Sequence, residues 1–236
     1  MPFLLNPYAL APTIIVPHDP LFANVTLLTN VVGGSIVDQS QYGNTLTPTG
    51  VTVDTVNVAI AGTSSMKFTS TSFISVTPYT AAKFDLSSTN KIWTVEAYVY
   101  LDGNQSSIPS LRLDIAGNQG ASTGWECDIS SSAIGMTFPG FGGPALGAHA
   151  VGNQGWHHIV WQRNNSSYTA GEDGNMYSAV TYTGGGGANN FMKIGGNLNN
   201  STTIAYHIQN LRMTVGVNRY AMSTGGYTVP TTFPTS

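Results

Sequence analysis

Charged side chains are scarce in this chain. Its 236 residues include eight Lys and Arg and eleven Asp and Glu, for a net charge of −3. So few cations, spread along the chain, form no basic stripe, and a nucleic-acid partner is not expected. Disorder driven by charge is also excluded, because aromatics reach 10% and apolar residues 41%. Cysteine is nearly absent. Cys127 has no partner, so no disulfide framework can form within the chain, and it reads as a small buried apolar side chain. No apolar run approaches the roughly 18 residues of a membrane span, so membrane insertion is not expected. The start, Met1-Pro2-Phe3-Leu4-Leu5, has no basic residue ahead of its apolar part and is a poor secretory signal. Amphipathic helical periodicity is missing as well.

What the chain has in abundance is Gly, Ser, Thr and Asn. These side chains compete for local backbone hydrogen bonds and disfavour helix. The Thr, Val, Ile, Tyr and Phe between them suit a pleated surface. The composition therefore points to an all-β fold of one domain. From residue 21 onward, short apolar runs alternate with turn signals, the spacing of a β-sandwich or barrel. Strands are predicted at Val25–Thr29, Val51–Ile60, Ser65–Thr69, Phe73–Thr77, Ile92–Leu101, Leu111–Ala116, Trp125–Ile129, Ile134–Phe138, Trp156–Arg163, Met176–Tyr182, Phe191–Ile194 and Ile204–Val215. Turn signals include Gly33-Gly34, Asp173-Gly174 and Gly195-Gly196-Asn197. In Ile92–Leu101, Trp93, Val95, Ala97, Val99 and Leu101 form a core face. Ile92, Thr94, Glu96, Tyr98 and Tyr100 form a second, amphipathic and semi-exposed one. Trp156–Arg163 carries bulk on both faces and is expected to be central and covered on both sides.

Residues 1–20 differ from the rest. Pro2, Pro7, Pro12, Pro17 and Pro20 forbid a helix or a central strand. Among them stand Phe3, Leu4, Leu5, Tyr8, Leu10, Ile14 and Ile15, more apolar bulk than a solvated linker would carry. The segment either packs along its own domain or docks on a neighbouring subunit as an extended arm, where a Pro-rich chain loses little entropy on ordering.

Four segments in order resemble the laminin-G/concanavalin A-like domains of bacteriophage virion structural proteins. They are Asn24-Val25-Thr26-Leu27-Leu28 with Asp38-Gln39-Ser40, then Trp93–Val99, then Trp156–Arg163, and last Ile208–Tyr220 followed by Tyr227–Pro230 and Phe233-Pro234. The resemblance spans about residues 21–234. It implies a two-sheet antiparallel jelly-roll sandwich over 21–236, behind the N-terminal arm of 1–20. It further implies a non-enzymatic protein of the virion surface, made in the host cytoplasm. Capsid decoration and tail or fibre subunit are both open, the latter as an adhesin for host glycans. Other virion proteins and further copies of the chain are the expected partners.

Glycanases on this fold carry Glu-x-Asp-x-x-Glu along one strand, so that acid and nucleophile flank one sugar bond. Glu126 and Asp128 match the first two positions, but the third is Ser131. A hydrolase is therefore disfavoured, and the pair reads as the polar outer face of an ordinary strand. Calcium sites need clustered oxygens. Asp38, Asp102, Asn104 and Asp114 are candidates without a ligand-spaced motif, and Asp38 reads better as a turn cap, so no metal or other cofactor is expected. His157 and His158 point to opposite faces and cannot chelate together, and His158 reads as a hydrogen-bonded core residue. Arg163 and Arg212 read as structural, partners for Glu96 or Asp114. A shallow sugar site would need aromatic faces with amide and hydroxyl groups around them. Tyr98, Tyr100 and Trp125 are the candidates, while Trp161 is expected to pack in the core.

Overall fold

The computed structural model describes residues 18–69, 71–86, 91–101, 112–117, 124–130, 133–138, 143–148, 155–183, 191–196 and 205–234. Its strands begin with β1 (Val25–Val32), β2 (Ser35–Asp38), β3 (Thr45–Thr49), β4 (Thr52–Asp54), β5 (Ser65–Phe68) and β6 (Phe73–Thr77). One helical turn, α1 (Ala81–Phe84), precedes β7 (Ile92–Leu101), β8 (Arg112–Gly117), β9 (Glu126–Ser130), β10 (Ala133–Thr137) and β11 (Ala145–Ala148). The remainder are β12 (Gly155–Asn164), β13 (Ser167–Glu172), β14 (Asn175–Met176), β15 (Val180–Thr181), β16 (Met192–Ile194), β17 (Tyr206–Val215) and β18 (Gly225–Gly226).

They form a two-layer antiparallel jelly-roll sandwich. The larger sheet runs β18-β14-β13-β12-β7-β17-β1-β2, with β15 beside β13 and the β5–β4 pair beside β17. The smaller runs β11-β10-β9-β8-β16-β6-β3. Between them lies one apolar core. Trp93, Val95, Ala97, Val99, Ile159 and Trp161 enter it from the larger sheet, and Ile74, Val76, Cys127, Ile129, Ile134 and Met136 from the smaller. The inward face of β7 and the core position of Trp161 are as the alternation predicts. β12 is buried from His157 to Arg163 and paired on both sides, as its two bulky faces require.

Local chemistry explains the turns. Gly33 and Gly34, both at positive φ, join β1 to β2 in a two-residue hairpin. Asp173 (φ +46°) and Gly174 (φ +89°) do the same between β13 and β14. Asp38 caps the following turn as expected, accepting from the Ser40 and Asn44 backbone N–H groups at 2.9 and 2.7 Å.

Several elements differ from the sequence reading. The long strand predicted at Val51–Ile60 stops at Asp54, whose carboxylate accepts from the Val56 and Asn57 N–H groups and turns the chain. β2, β3, β11, β13 and β18 were not predicted, and in place of the strand predicted at Met176–Tyr182 stand the two short strands β14 and β15. β3 contains Pro48, and it is an edge strand, where a missing N–H leaves no ladder bond unmade. The outer face of β7 is only partly exposed. Thr94 and Glu96 have no exposed surface, because the chain after β17 folds back over them.

Candidate functional site

The outer face of the larger sheet divides into two regions. β7 supplies Thr94, Glu96, Tyr98 and Tyr100; β12, in register, supplies Gln162, Val160, His158 and Trp156. β17 adds Thr214, Arg212, Gln209 and His207. Residues 216–233 cover the first end of this face.

Under that cover is a buried ionic cluster. The Glu96 carboxylate accepts from Arg212 Nε at 2.9 Å and Nη2 at 2.8 Å, and from the Tyr220 hydroxyl at 2.6 Å. His158 Nε2 and Arg219 Nε lie 3.3 and 3.5 Å from it. Arg212 and Arg219 both also bind Asp19, at 3.2 and 2.7 Å. Burial pushes the Glu96 carboxyl up, but the Arg212 charge and the His158 contact outweigh it and hold the group at about 2. Gln162 Oε1 accepts from the Thr94 hydroxyl and from the Arg219 and Tyr220 N–H groups. The cluster fastens Asp19 and the C-terminal segment to the sheet. Its groups have no access to a ligand, so its role is structural. Arg212 thus pairs with Glu96, one of the two carboxylates expected for it. Arg163 donates to the backbone carbonyls of Leu86 and Asn165, and Asp114, the other carboxylate expected for it, has its side chain outside the described residues. His158 is a hydrogen-bonded core residue, with Nδ1 3.0 Å from the Tyr227 hydroxyl.

Residues 216–233 do not reach the opposite end of the face. There the half-buried rings of Tyr100 and Trp156 lie 5.5 Å apart, centroid to centroid. His207 packs edge-on against Tyr100 at 5.5 Å and lies 6.3 Å from Trp156. The Trp156 indole N–H donates to Asn57 Oδ1 at 2.9 Å, and His207 Nε2 lies 3.1 Å from Asp54 Oδ2. The turn that Asp54 caps brings Asn57 to the rings. Its backbone N–H groups and His207 hold the Asp54 carboxyl below its usual range, against the smaller effect of burial. His207 is buried beneath the rings, so the two half-buried aromatic faces are edged by the Asn57 amide and the Asp54 carboxylate, and such a surface can bind a ring that is apolar on one side and polar at its edge.

Of the sugar-site candidates, Tyr100 lies in this patch. Tyr98 stands at its border, where its hydroxyl donates to the Pro230 carbonyl at 2.5 Å and its ring meets His158 and Phe233. Trp125 is a correction. It is fully buried and donates its indole N–H to the Phe84 carbonyl at 2.7 Å, so it offers no face to a ligand. The alternation Trp125-Cys127-Ile129 already places it on an apolar face. Trp156, His207, Asn57 and Asp54 were not singled out. Register with Tyr100 was the missing information, and a strand read alone does not supply it.

Glu126 and Asp128 share one face of β9, as expected, yet both are buried rather than exposed. Asp128 accepts from the Thr137 hydroxyl at 3.1 Å. Ser131, Asp102, Asn104, the side chain of Asp114 and the arm residues 1–17 lie outside the described residues. An open groove of about 540 Å³ between β2, β3 and β4 is lined by Ile36, Pro48, Val51 and Val53. It carries no aromatic or titratable side chain and so offers shape without recognition chemistry.

No protein-family model matches the sequence, and no curated protein matches it. Solved structures do. The binding domain of Paraclostridial Mosquitocidal Protein 1 superposes with a TM-score of 0.65 at 14% identity, over 82% of this chain and 49% of that one. The binding domain of botulinum neurotoxin serotype D/C gives 0.65 at 13% identity, over 82% and 49%. The likeness is one of fold. A botulinum neurotoxin type C structure, from work on that toxin's dependence on two ganglioside molecules for cell entry, matches equally well, with 0.65 at 14% identity over 82% and 48%. The chain thus spans about half the length of each of these neighbours.

Proposed function

We propose that this chain is a non-enzymatic binding module of a bacteriophage particle surface, and that it takes host glycans on the Tyr100–Trp156 patch. The observation that carries the reading is the patch itself. It lies at the end of the sheet face that residues 216–233 do not reach, and Asp54 and Asn57 stand at its edge. The virion placement rests on the four sequence motifs. They fall on β1, β7, β12 and β17, and these strands are consecutive neighbours in the larger sheet in the order β12-β7-β17-β1. The motifs therefore describe one continuous structural unit. The last motif also supplies Arg219, Tyr220 and Tyr227, which seal the ionic cluster. Among the neighbours in fold, botulinum neurotoxin type C is described as interacting with gangliosides, which is in keeping with sugar recognition by this architecture. The segment ahead of Asp19, the larger part of the arm expected over 1–20, would dock the module on other virion proteins or on further copies of the chain. Its exit point is set by Asp19, which two arginines hold.

A glycan array of host surface polysaccharides tests the reading. The full chain should retain a defined set of sugars. Trp156→Ala and Tyr100→Ala should each weaken that binding about tenfold or more, as the loss of one stacking face requires. Circular dichroism checks that the variants keep their fold. Array-wide silence, or variants that bind like the parent, would refute the glycan assignment. Sugar cleavage abolished by Glu126→Gln would refute the non-enzymatic one. Microscopy of intact particles separates capsid decoration from a tail-fibre adhesin.

A further inference from the structure

At one end of the sandwich, the start of β12 and the β13–β14 hairpin bring three potential metal ligands together. Imidazole Nδ1 of His157 lies 2.7 Å from Asp173 Oδ2 and 3.4 Å from Glu172 Oε1. All three ligand atoms lie within 4.8 Å of one another. The imidazole is buried, the Glu172 side chain is 11% exposed and the Asp173 side chain 48% exposed.

We propose that His157, Glu172 and Asp173 form a site for a divalent transition-metal ion of the zinc class. Spacing, support and charge all point that way. Ligands about 2.0–2.2 Å from such an ion in a tetrahedral site stand roughly 3.4 Å from each other; Glu172 is at that separation from the imidazole, while Asp173 is at hydrogen-bond distance and opens slightly when the ion replaces the shared proton. Each carboxylate is oriented through its other oxygen. Asp173 Oδ1 accepts from the His158 backbone N–H at 2.8 Å, and Glu172 Oε2 is 3.1 Å from the Tyr177 hydroxyl. That hydroxyl shares its single proton between Glu172 and the Ala148 carbonyl, 2.8 Å away at the edge of the smaller sheet. Companion groups of this kind fix ligands in place before the ion arrives.

The backbone is equally well determined. Ile159 pairs with Glu172 in the β12–β13 ladder, and Asp173 sits at positive φ in a two-residue turn. A neutral imidazole with two carboxylates carries a charge of about −2, which matches a divalent ion. The nitrogen ligand favours zinc, cobalt or manganese over calcium, whose sites are built from oxygen. The exposed side of Asp173 leaves room for water to complete the coordination.

Calorimetric titration of the chelator-treated full chain with zinc chloride tests this. One zinc should bind per chain with a dissociation constant in the micromolar range or tighter, and calcium chloride should bind at least tenfold more weakly. Asp173→Asn keeps the turn, because Asn tolerates positive φ and can still accept from the His158 N–H. Asp173→Asn and Glu172→Gln should each weaken zinc binding tenfold or more. A cobalt(II) titration of the unmutated chain needs no variant. It should develop the visible absorption bands of a mixed nitrogen–oxygen site with four or five ligands. Absence of saturable zinc binding, equal affinity in both carboxamide variants, or a cobalt spectrum no different from the aquated ion would each overturn the proposal.

Discussion

At the scale of single residues, Glu96 shows what burial demands of a charge. Its carboxylate has no exposed surface and is stabilised by Arg212, His158, Arg219 and Tyr220. Removing one partner of such a cluster costs far more than the intact pair contributes. Arg212→Ala should therefore lower the unfolding free energy by about 3–5 kcal/mol, measured by urea denaturation. The cluster also sets a pH dependence. The carboxyl of Glu96 is held at about 2, below its ordinary 4.5. Its contribution is complete above about pH 4.5 and is lost as the pH falls toward 2. Asp19, likewise lowered, acts in the same direction. Thermal melts should fall steeply across that window, and Glu96→Gln should flatten the fall while melting lower at neutral pH. An unchanged slope in that variant would place the acid sensitivity elsewhere. Residue identity alone made part of this legible. Arg212 and Glu96 read as possible partners from the sequence. Their enclosure did not, and neither did the burial of Trp125, although its alternation with Cys127 and Ile129 carried the information.

At the scale of elements, β17 shows how one residue resets a strand. Its first half pairs with β5 and its second half with β1, while β7 runs along the other edge. Between Gln209 and Arg212 the register against β7 shifts, and Asn210 adopts φ +52°. This bulge restores the alternation so that Leu211 enters the core while Arg212 meets Glu96 on the outer face. Without it the two side chains would exchange faces. Asn210→Gly should be nearly neutral, whereas Asn210→Ala should cost about 1–2 kcal/mol from the left-handed backbone. Deletion of Asn210 should abolish cooperative unfolding altogether. Thermal denaturation followed by circular dichroism separates the three outcomes. The same scale explains which strands were legible. β6 and β7 match their predicted bounds because their alternation is unbroken. β13 escaped notice because Ala170 and Gly171 have little strand character. Yet Gly171 is required there: a Cβ would stand 2.5 Å from Met176 Sδ and 3.0 Å from the Tyr227 ring.

At the scale of the whole molecule, segments far apart in sequence seal one face. Asp19 precedes β1, and Arg219, Tyr220, Tyr227 and Phe233 follow β17, yet all meet over β7 and β12. Periodicity within a strand reports which side faces the core. It cannot report what a segment more than a hundred residues away lays over the other side. The amphipathic face of β7 therefore read as semi-exposed, and the division of that face into a sealed end and an aromatic end was not legible. The arrangement also makes Asp19 part of the domain's own packing. Asp19 lies inside residues 1–20, but it is 5% exposed and bonded to two arginines. A chain lacking residues 1–17 keeps this anchor and should melt within a few degrees of the full chain. A chain lacking residues 1–20 leaves Arg212 and Arg219 without that carboxylate and should lose on the order of 2–3 kcal/mol. If 1–17 is the docking arm, the shorter deletion should leave the fold intact and remove the protein from assembled particles, read by gel analysis of purified virions. Full incorporation of that stable, truncated chain would show that attachment resides in the sandwich rather than in the proline-rich segment.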